Sequence, residues 1–181
     1  MKVKLLILDI DGVLTDGTKV YDKNHNVLSK RFVCKDFTAI KRFIAAGVKV
    51  VMLSGDDWNR KMAEKRNVDF YCTRGDDLSL DKSVYLPMLE KKYNVPVSEM
   101  AFVGDDYFDF SMFENLTYTF CPLDAPAKIR EEAYCTINKP GGHGIIVELY
   151  DYFIQKGWIQ DAPYEAVAAL DKMEVTSQEM K

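Results

Sequence analysis

The chain has 181 residues and a formal charge of −4, with 48% hydrophobic and 29% charged residues. This length and composition are those of one globular domain with a substantial core. The net negative charge argues against a nucleic-acid partner. No apolar run reaches membrane-spanning length and no signal-peptide pattern is found, so a cytoplasmic location is expected.

The first predicted element is a buried parallel strand in the apolar run at residues 5–8. The run ends in Asp9 and Asp11, one residue apart, followed by Gly12. Open α/β sheets bind their ligands at the carboxyl ends of the strands. The two carboxylates are therefore expected where chemistry takes place.

A β-hairpin is predicted next, with strands at 18–21 and 27–33 around the turn-forming cluster at 22–26. A flap of this kind lies beside the first strand in the chain. It could cover a site at the end of that strand or pair with a neighbouring subunit.

The rest of the chain alternates between predicted helices and strands. Asp36 is expected to cap a helix that ends at Gly47. The later elements are a strand at 48–53, a helix at 58–67, a strand at 68–72, a helix at 83–93, a strand at 100–103, a helix from about 108, a strand at 118–121, a helix at 125–132, an edge strand at 134–137 and a helix at 144–155. This order predicts an α/β fold, a three-layer Rossmann-like sandwich with a mostly parallel sheet, a hairpin flap and no large cap domain.

A second group of acids follows the predicted strand at 100–103. Asp105 and Asp106 come directly after Gly104, and Asp109 lies one helical turn further on. Two strands that bring acids to one sheet edge build a cluster of negative charge that needs a cation. Oxygen ligands that are few in number and leave room for water and phosphate favour Mg²⁺ over zinc.

A hydroxyl and a lysine complete the pattern. Ser54 and Gly55 follow the strand at 48–53, and Lys82 lies at the expected start of a helix. An acid pair, a hydroxyl, a lysine and a second acid pair, in that order, suit phosphoryl transfer through an aspartyl phosphate.

These segments, 9–17, Ser54, Lys82 and 104–109, resemble the four motifs of the haloacid dehalogenase superfamily of phosphatases. The long first motif, the lack of a large cap insert and the glycine-rich segment 141–144 resemble the capless branch. That branch dephosphorylates 3-deoxy-octulosonate 8-phosphate and related nonulosonate 9-phosphates. The resemblance implies a Mg²⁺-dependent phosphatase of a keto-deoxy sugar acid, with a phosphatase domain at 1–157, its flap at 18–33, and a C-terminal tail at 158–181.

The matched residues carry roles that the resemblance implies. Asp9 is the expected nucleophile and a Mg²⁺ ligand. Asp11 is expected to protonate the leaving oxygen and later activate water, and its backbone carbonyl to complete the metal shell. Asp105 is the expected third protein ligand. Ser54 is expected to donate to a phosphate oxygen, or to cap the following helix, and Lys82 to neutralise phosphate and hold Asp9.

Five further residues are expected to bind the substrate or to support the catalytic and metal-binding groups: Gly12, Gly55, Asp56, Asp106 and Asp109. Asp106 could bind the metal through water, and Asp109 could instead stabilise the N-terminal end of its helix. Octulosonate-phosphate phosphatases commonly have an arginine at the position of Asp56, and nonulosonate phosphatases can have an acid. Asp56 therefore favours a nine-carbon substrate.

Two other functions fit parts of the pattern. A receiver-like phosphorylation module also places acids, a hydroxyl and a lysine at strand ends, but it has no second acid positioned like Asp11. A phosphatase of another small sugar phosphate usually has a cap domain, for which residues 12–54 have no room beyond the hairpin. Capless enzymes often enclose the site with a neighbouring subunit, so a homotetramer is expected.

Two segments leave alternatives open. The tail is expected to form a short helix with Val167, Leu170 and Met173 on one face. Its place is either the domain surface or, as the resemblance allows, an adjoining subunit's active site. The loop at 74–78 is longer than the family pattern and carries two additional acids; both a substrate role and a plain solvated loop fit it.

Overall fold

The protein has a parallel sheet with helices on both faces in the computed structural model, which describes residues 2–74 and 80–179. Its strands are β1 (Leu5–Leu8), β2 (Val20–Tyr21), β3 (Val27–Ser29), β4 (Lys49–Ser54), β5 (Asp69–Cys72), β6 (Met100–Val103), β7 (Tyr118–Pro122) and β8 (Cys135–Ile137). Its α-helices are α1 (Cys34–Ala45), α2 (Arg60–Lys65), α3 (Leu86–Tyr93), α4 (Phe110–Asn115), α5 (Ala127–Glu132), α6 (Ile145–Gln155) and α7 (Tyr164–Glu179).

The central strand β1 positions the predicted site residues. The described residues form a six-stranded sheet in the order β5-β4-β1-β6-β7-β8, and all its pairings are parallel. Leu8 at the end of β1 is in register with Met52 of β4 and Val103 of β6. The residues that follow these three strands therefore meet at one edge of the sheet, as the sequence predicts.

Two apolar clusters cover the two faces of the sheet. Leu6 and Leu8 belong to a buried cluster with side chains of α1 and α6, such as Phe43 and Phe153. Leu5 and Ile7 point to the other face, into a cluster with side chains of α3, α4 and α5. Alternate residues of β1 thus face opposite layers, because successive side chains of a strand point to opposite sides. The predicted three-layer α/β fold is confirmed.

The predicted hairpin is present but shorter than expected. β2 and β3 are antiparallel and have only two and three residues. Val20 and Leu28 on them are 57% and 60% exposed. In the stretch between Asp9 and Ser54, all of it described, the hairpin and α1 are the only elements between β1 and β4, so this stretch holds no cap domain.

Asp36 does not cap its own helix, contrary to the sequence prediction. α1 begins two residues earlier, at Cys34, and its N-cap residue Val33 makes no side-chain cap. The buried Asp36 carboxylate instead accepts hydrogen bonds from the backbone N–H groups of Ile146 and Val147 at the start of α6, at 2.9 and 3.2 Å. An acid at a helix start satisfies N–H groups that lack partners within that helix.

The tail forms a longer helix than the sequence predicts. α7 has 16 residues, and Lys41 of α1 pairs with Asp171 and Glu174 of α7 at 2.5 and 2.8 Å. The loop prediction at 74–78 concerns residues that, apart from Arg74, lie outside the described ones. Within the described ranges, we find no helix with the length and apolar character needed to span a bilayer.

Candidate active site

The residues predicted for the site lie together at the carboxyl edge of the sheet. A cavity of about 280 Å³ opens there. The predicted residues that line it are Asp9, Asp11, Ser54, Gly55, Asp56, Lys82, Asp105, Asp106 and Asp109. The remaining predicted residue, Gly12, lies directly behind Asp105. The structure therefore brings these residues together at one edge of the sheet.

Lys82 joins two buried carboxylates. Its ammonium lies 2.7 Å from Asp9 Oδ1 and 2.5 Å from Asp109 Oδ1, and all three residues are at most 6% exposed. Burial raises the pKa of Asp9, and the charge of Lys82 offsets part of that rise. Burial alone would lower the pKa of Lys82, but the two carboxylates reverse this and hold it above its usual range. Lys82 therefore stays an ammonium ion within the protein.

Asp109 also fixes the loop that carries Asp105. Its Oδ2 accepts hydrogen bonds from the backbone N–H groups of Asp105 and Asp106, at 2.9 and 3.3 Å. Both oxygens of Asp109 are therefore engaged, one by Lys82 and one by the loop. This side chain supports its neighbours and does more than stabilise the end of a helix.

Asp105 is the carboxylate that most needs a cation. One oxygen from each of Asp9, Asp105 and Asp109 lies within 4.8 Å of the others. Burial and then the charge of Asp9 raise the pKa of Asp105 to about 9. Among the described residues no hydrogen bond to the Asp105 carboxylate is formed, while Asp9 shares Lys82 with Asp109. These carboxylate oxygens are crowded and buried, and one lysine offsets only part of their negative charge. Such a group fits a divalent cation.

Two glycines allow close packing beside Asp105 and in the loop before it. A Cβ on Gly12, whose φ is +87°, would lie 2.0 Å from Asp105 Oδ2. Gly141 packs against the backbone of Gly12, since a Cβ on Gly141 would lie 1.9 Å from the carbonyl oxygen of Gly12. The segment 141–144 thus packs tightly against the loop that follows Asp9, the predicted nucleophile.

Asp11 is held by a lysine from the hairpin, a contact that the sequence analysis missed. Lys30 Nζ lies 2.7 Å from Asp11 Oδ1, and the Lys30 side chain is fully buried. It also contacts Asp56 Oδ2 at 2.8 Å and Asn59 Oδ1 at 3.0 Å. The hairpin therefore contributes a charged group to the interior of the site.

Asn59 links the same group to Ser54. Its amide nitrogen donates to Asp11 Oδ2 at 3.2 Å and to Ser54 Oγ at 3.1 Å, and the residue is fully buried. Ser54 Oγ also accepts from the backbone N–H of Asp56 at 3.2 Å. Because Ser54 accepts two hydrogen bonds here, its own hydroxyl proton is available to donate into the cavity.

Asp56 anchors the hairpin lysines. Its Oδ2 lies 2.7 Å from Lys19 Nζ and 2.8 Å from Lys30 Nζ, while its Oδ1 caps the following turn by accepting from the N–H of Trp58. Burial raises the pKa of this carboxyl, but the hydrogen bonds from the two lysines outweigh it and hold the pKa well below the usual range. Asp56, and not Ser54, is therefore the N-cap residue at this position.

Comparisons with known proteins identify the family of the chain. Residues 77–149 match the family of haloacid dehalogenase-like hydrolases. The 3-deoxy-D-manno-octulosonate 8-phosphate phosphatase of Haemophilus influenzae is 31% identical over 156 residues, which cover 84% of this chain and 83% of that protein.

Solved structures show the same architecture. The cobalt-bound form of the Haemophilus influenzae deoxy-D-mannose-octulosonate 8-phosphate phosphatase has a TM-score of 0.77 and 29% identity, covering 85% of this chain and 88% of that one. A putative hydrolase of the haloacid dehalogenase superfamily, subfamily III A, from Legionella pneumophila has a TM-score of 0.75 and 25% identity, covering 99% and 91%.

Proposed function

The chain belongs to the haloacid dehalogenase-like hydrolases, in the capless branch that contains 3-deoxy-D-manno-octulosonate 8-phosphate phosphatases, and we propose that it hydrolyses the phosphate ester of a keto-deoxy sugar acid. As a member of this branch it is a phosphoric monoester hydrolase acting on a sugar phosphate. The finer proposal is that the substrate is a 3-deoxy-octulosonate 8-phosphate or a nonulosonate 9-phosphate, and that Mg²⁺ is required.

The observation that carries the proposal is the buried Lys82 ammonium 2.7 Å from Asp9, beside an under-compensated Asp105. In the proposed reaction the Asp9 carboxylate attacks phosphorus, the bond to the sugar oxygen breaks, and the oxygen takes a proton from Asp11. Asp11 then accepts a proton from the water that hydrolyses the aspartyl phosphate. Ser54 donates to a phosphate oxygen, and Lys82 stabilises the charge that collects on the phosphoryl group.

Asp9 and Asp105, with the backbone carbonyl of Asp11, are the proposed ligands of the divalent cation. When bound, the cation supplies positive charge to the phosphoryl oxygens and orients them toward Asp9. Asp106 faces the same cavity and could contribute through water. Gly12 gives the phosphate close access to the backbone, and Gly55 leaves room for the side chain of Arg74 at the cavity wall.

We propose that residues 1–157 form the phosphatase domain and that the protein is a homotetramer, in which exposed Val20 and Leu28 of the hairpin pair with a neighbour. Light scattering measures the oligomeric state and tests the homotetramer directly. A fully active monomer would leave the hairpin as a surface ribbon.

A phosphate-release screen tests the substrate. Eight- and nine-carbon keto-deoxy sugar phosphates are compared with hexose phosphates, each with Mg²⁺ and with excess chelator. The proposal predicts the highest kcat/KM for one of the keto-deoxy acids and no turnover in chelator. Equal kcat/KM for hexose phosphates would favour the second candidate, a phosphatase of another small sugar phosphate.

A further inference from the structure

One arginine at the opening of the cavity has no role in the chemistry described so far. Arg74 follows β5, is exposed, and lines the same cavity as Asp9. Its guanidinium lies 5.3 Å from the ring centroid of Phe108, and a Cβ on Gly55 would come within 2.9 Å of its Nε. The side chain therefore runs across Gly55 to the exposed rim that Arg74 forms with Leu80 and Phe108.

The charges that line the cavity single out Arg74. Lys19 is paired with Asp56, and Lys82 is paired with Asp9 and Asp109. Within residues 2–74 and 80–179, Arg74 forms no ion pair with a carboxylate. Among the described residues it is thus a cation with no carboxylate partner, at the mouth of a cavity that is otherwise rich in aspartate.

We propose that Arg74 binds the carboxylate of the substrate and selects sugar acids over neutral sugars; this rests on the proposed function. The guanidinium presents a planar fork of donors that matches a carboxylate in a two-pronged contact. The ring of Phe108 supports the guanidinium and leaves its donors free. The phosphate end of the substrate belongs at Asp9, Ser54 and Lys82, so the exposed rim faces the far end of the sugar.

The test compares a carboxylated substrate with a neutral one. The ratio of kcat/KM for 3-deoxy-octulosonate 8-phosphate over an aldopentose 5-phosphate is measured for the wild type, Arg74→Gln and Arg74→Lys. Arg74→Gln should lower this ratio about ten- to a hundredfold, the effect of losing a charge-assisted contact, mainly through KM. Arg74→Lys keeps the charge without the fork and should recover part of the ratio. Arg130→Gln, an exposed arginine on α5, is the matched control.

A second measurement separates this inference from the proposed function. Hydrolysis of p-nitrophenyl phosphate is inhibited with 3-deoxy-octulosonate and with its methyl ester. The acid should bind the wild type at least about tenfold more tightly than the ester, and Arg74→Gln should remove the difference. If the wild type hydrolyses the sugar-acid phosphate but Arg74→Gln keeps both the ratio and the preference for the acid, the role of Arg74 is wrong and the proposed function stands. A wild type without a preference for the acid over its ester also contradicts the role of Arg74, whereas a wild type that hydrolyses the aldopentose phosphate as efficiently as the sugar-acid phosphate contradicts the proposed function itself.

Discussion

The Lys30 ammonium, carried by the hairpin, lies 2.7 Å from an oxygen of Asp11, the proposed acid and base. The same ammonium contacts Asp56 and Asn59, so one buried lysine connects the flap to two segments of the active site. The position of the hairpin and the position of the Asp11 carboxylate are therefore coupled.

Lys30→Met should loosen the hairpin and lower kcat for the sugar-acid phosphate roughly ten- to a hundredfold, because small displacements of a catalytic group are costly. Hydrogen exchange over residues 18–33 should rise in the variant. Lys23→Met, which changes an exposed lysine in the hairpin turn, is the control. Unchanged hydrogen exchange in Lys30→Met would show that Lys30 does not couple the hairpin to Asp11.

Asp9→Asn should give a folded protein with at least about a hundredfold lower turnover, or ~2.7 kcal/mol of barrier, since an amide cannot attack phosphorus. Lys82 keeps Asp109 as a partner in this variant, so the melting temperature should change little. Asp57→Asn, which removes an exposed carboxylate, serves as the control. Activity above about a hundredth of wild type would exclude Asp9 as the nucleophile.

Removal of the metal should make stability depend on pH. The pKa of Asp105 is about 9 in the folded chain against 3.8 for an ordinary aspartate. Between these values the folded chain holds a proton that the unfolded chain has released, so the free energy of unfolding contributed by this group falls as pH rises. With chelator the melting temperature should drop as the pH rises from about 5 to about 9, and Mg²⁺ should flatten the curve.

Two variants check the source of that pH dependence. Burial also raises the pKa of Asp9, to about 7, so Asp105→Asn should remove the slope above about pH 7, keep part of it below, and abolish the response to Mg²⁺. Asp36→Asn, which changes a buried carboxyl away from the cavity, should keep the response to Mg²⁺. If Asp105→Asn responds to Mg²⁺ as the wild type does, Asp105 is not a ligand.

Lys82→Met should lower the free energy of unfolding by ~3–5 kcal/mol in chelator, the usual cost of breaking a buried ion pair from one side. The variant leaves the buried carboxylates of Asp9 and Asp109 without their cation. Denaturant unfolding measures the loss, and Mg²⁺ should restore part of it. Lys128→Met on α5, where the lysine is exposed, should cost less than about 1 kcal/mol.

Gly141→Ala should reduce turnover because its Cβ would lie 1.9 Å from the carbonyl oxygen of Gly12 and must displace the loop after Asp9. Overpacking of this kind costs ~1–3 kcal/mol of stability. Gly157→Ala is the control for a glycine replaced away from the site, because no atom lies within 4 Å of its added Cβ and its cost comes from the φ of +66° alone. Equal turnover in the two variants would show that the 141–144 segment does not position this loop.

The edge of the sheet could be predicted from the sequence because the strand ends fix it. Asp9 and Asp105 follow the ends of β1 and β6, and Ser54 is the last residue of β4; β4 and β6 flank β1 in the sheet. Apolar runs of strand length predict those strands, and parallel pairing brings their carboxyl ends together. Lys82 was predicted from the order of the motifs, since it lies between the hydroxyl of Ser54 and the second acid pair.

The contacts of the hairpin could not be predicted in the same way. Lys30 is 19 residues from Asp11 and 26 from Asp56, and a lysine on a short ribbon is ordinarily solvated. Asp36 illustrates the same limit, since it caps a helix 110 residues further along the chain. Periodicity describes which face of an element is apolar, but it does not give the packing of one loop or helix start against another.

The measurement that tests the central claim most directly is the trapping of the phosphorylated chain. The sugar-acid phosphate, labelled in its phosphate, is mixed with Asp11→Asn, which cannot activate water efficiently, and quenched in acid. We expect label bound to Asp11→Asn, released by hydroxylamine and located on the peptide that contains Asp9, and no bound label in Asp9→Asn. Turnover by the wild type with no protein-bound label in Asp11→Asn, or label on a residue other than Asp9, would contradict an aspartyl-phosphate intermediate at Asp9.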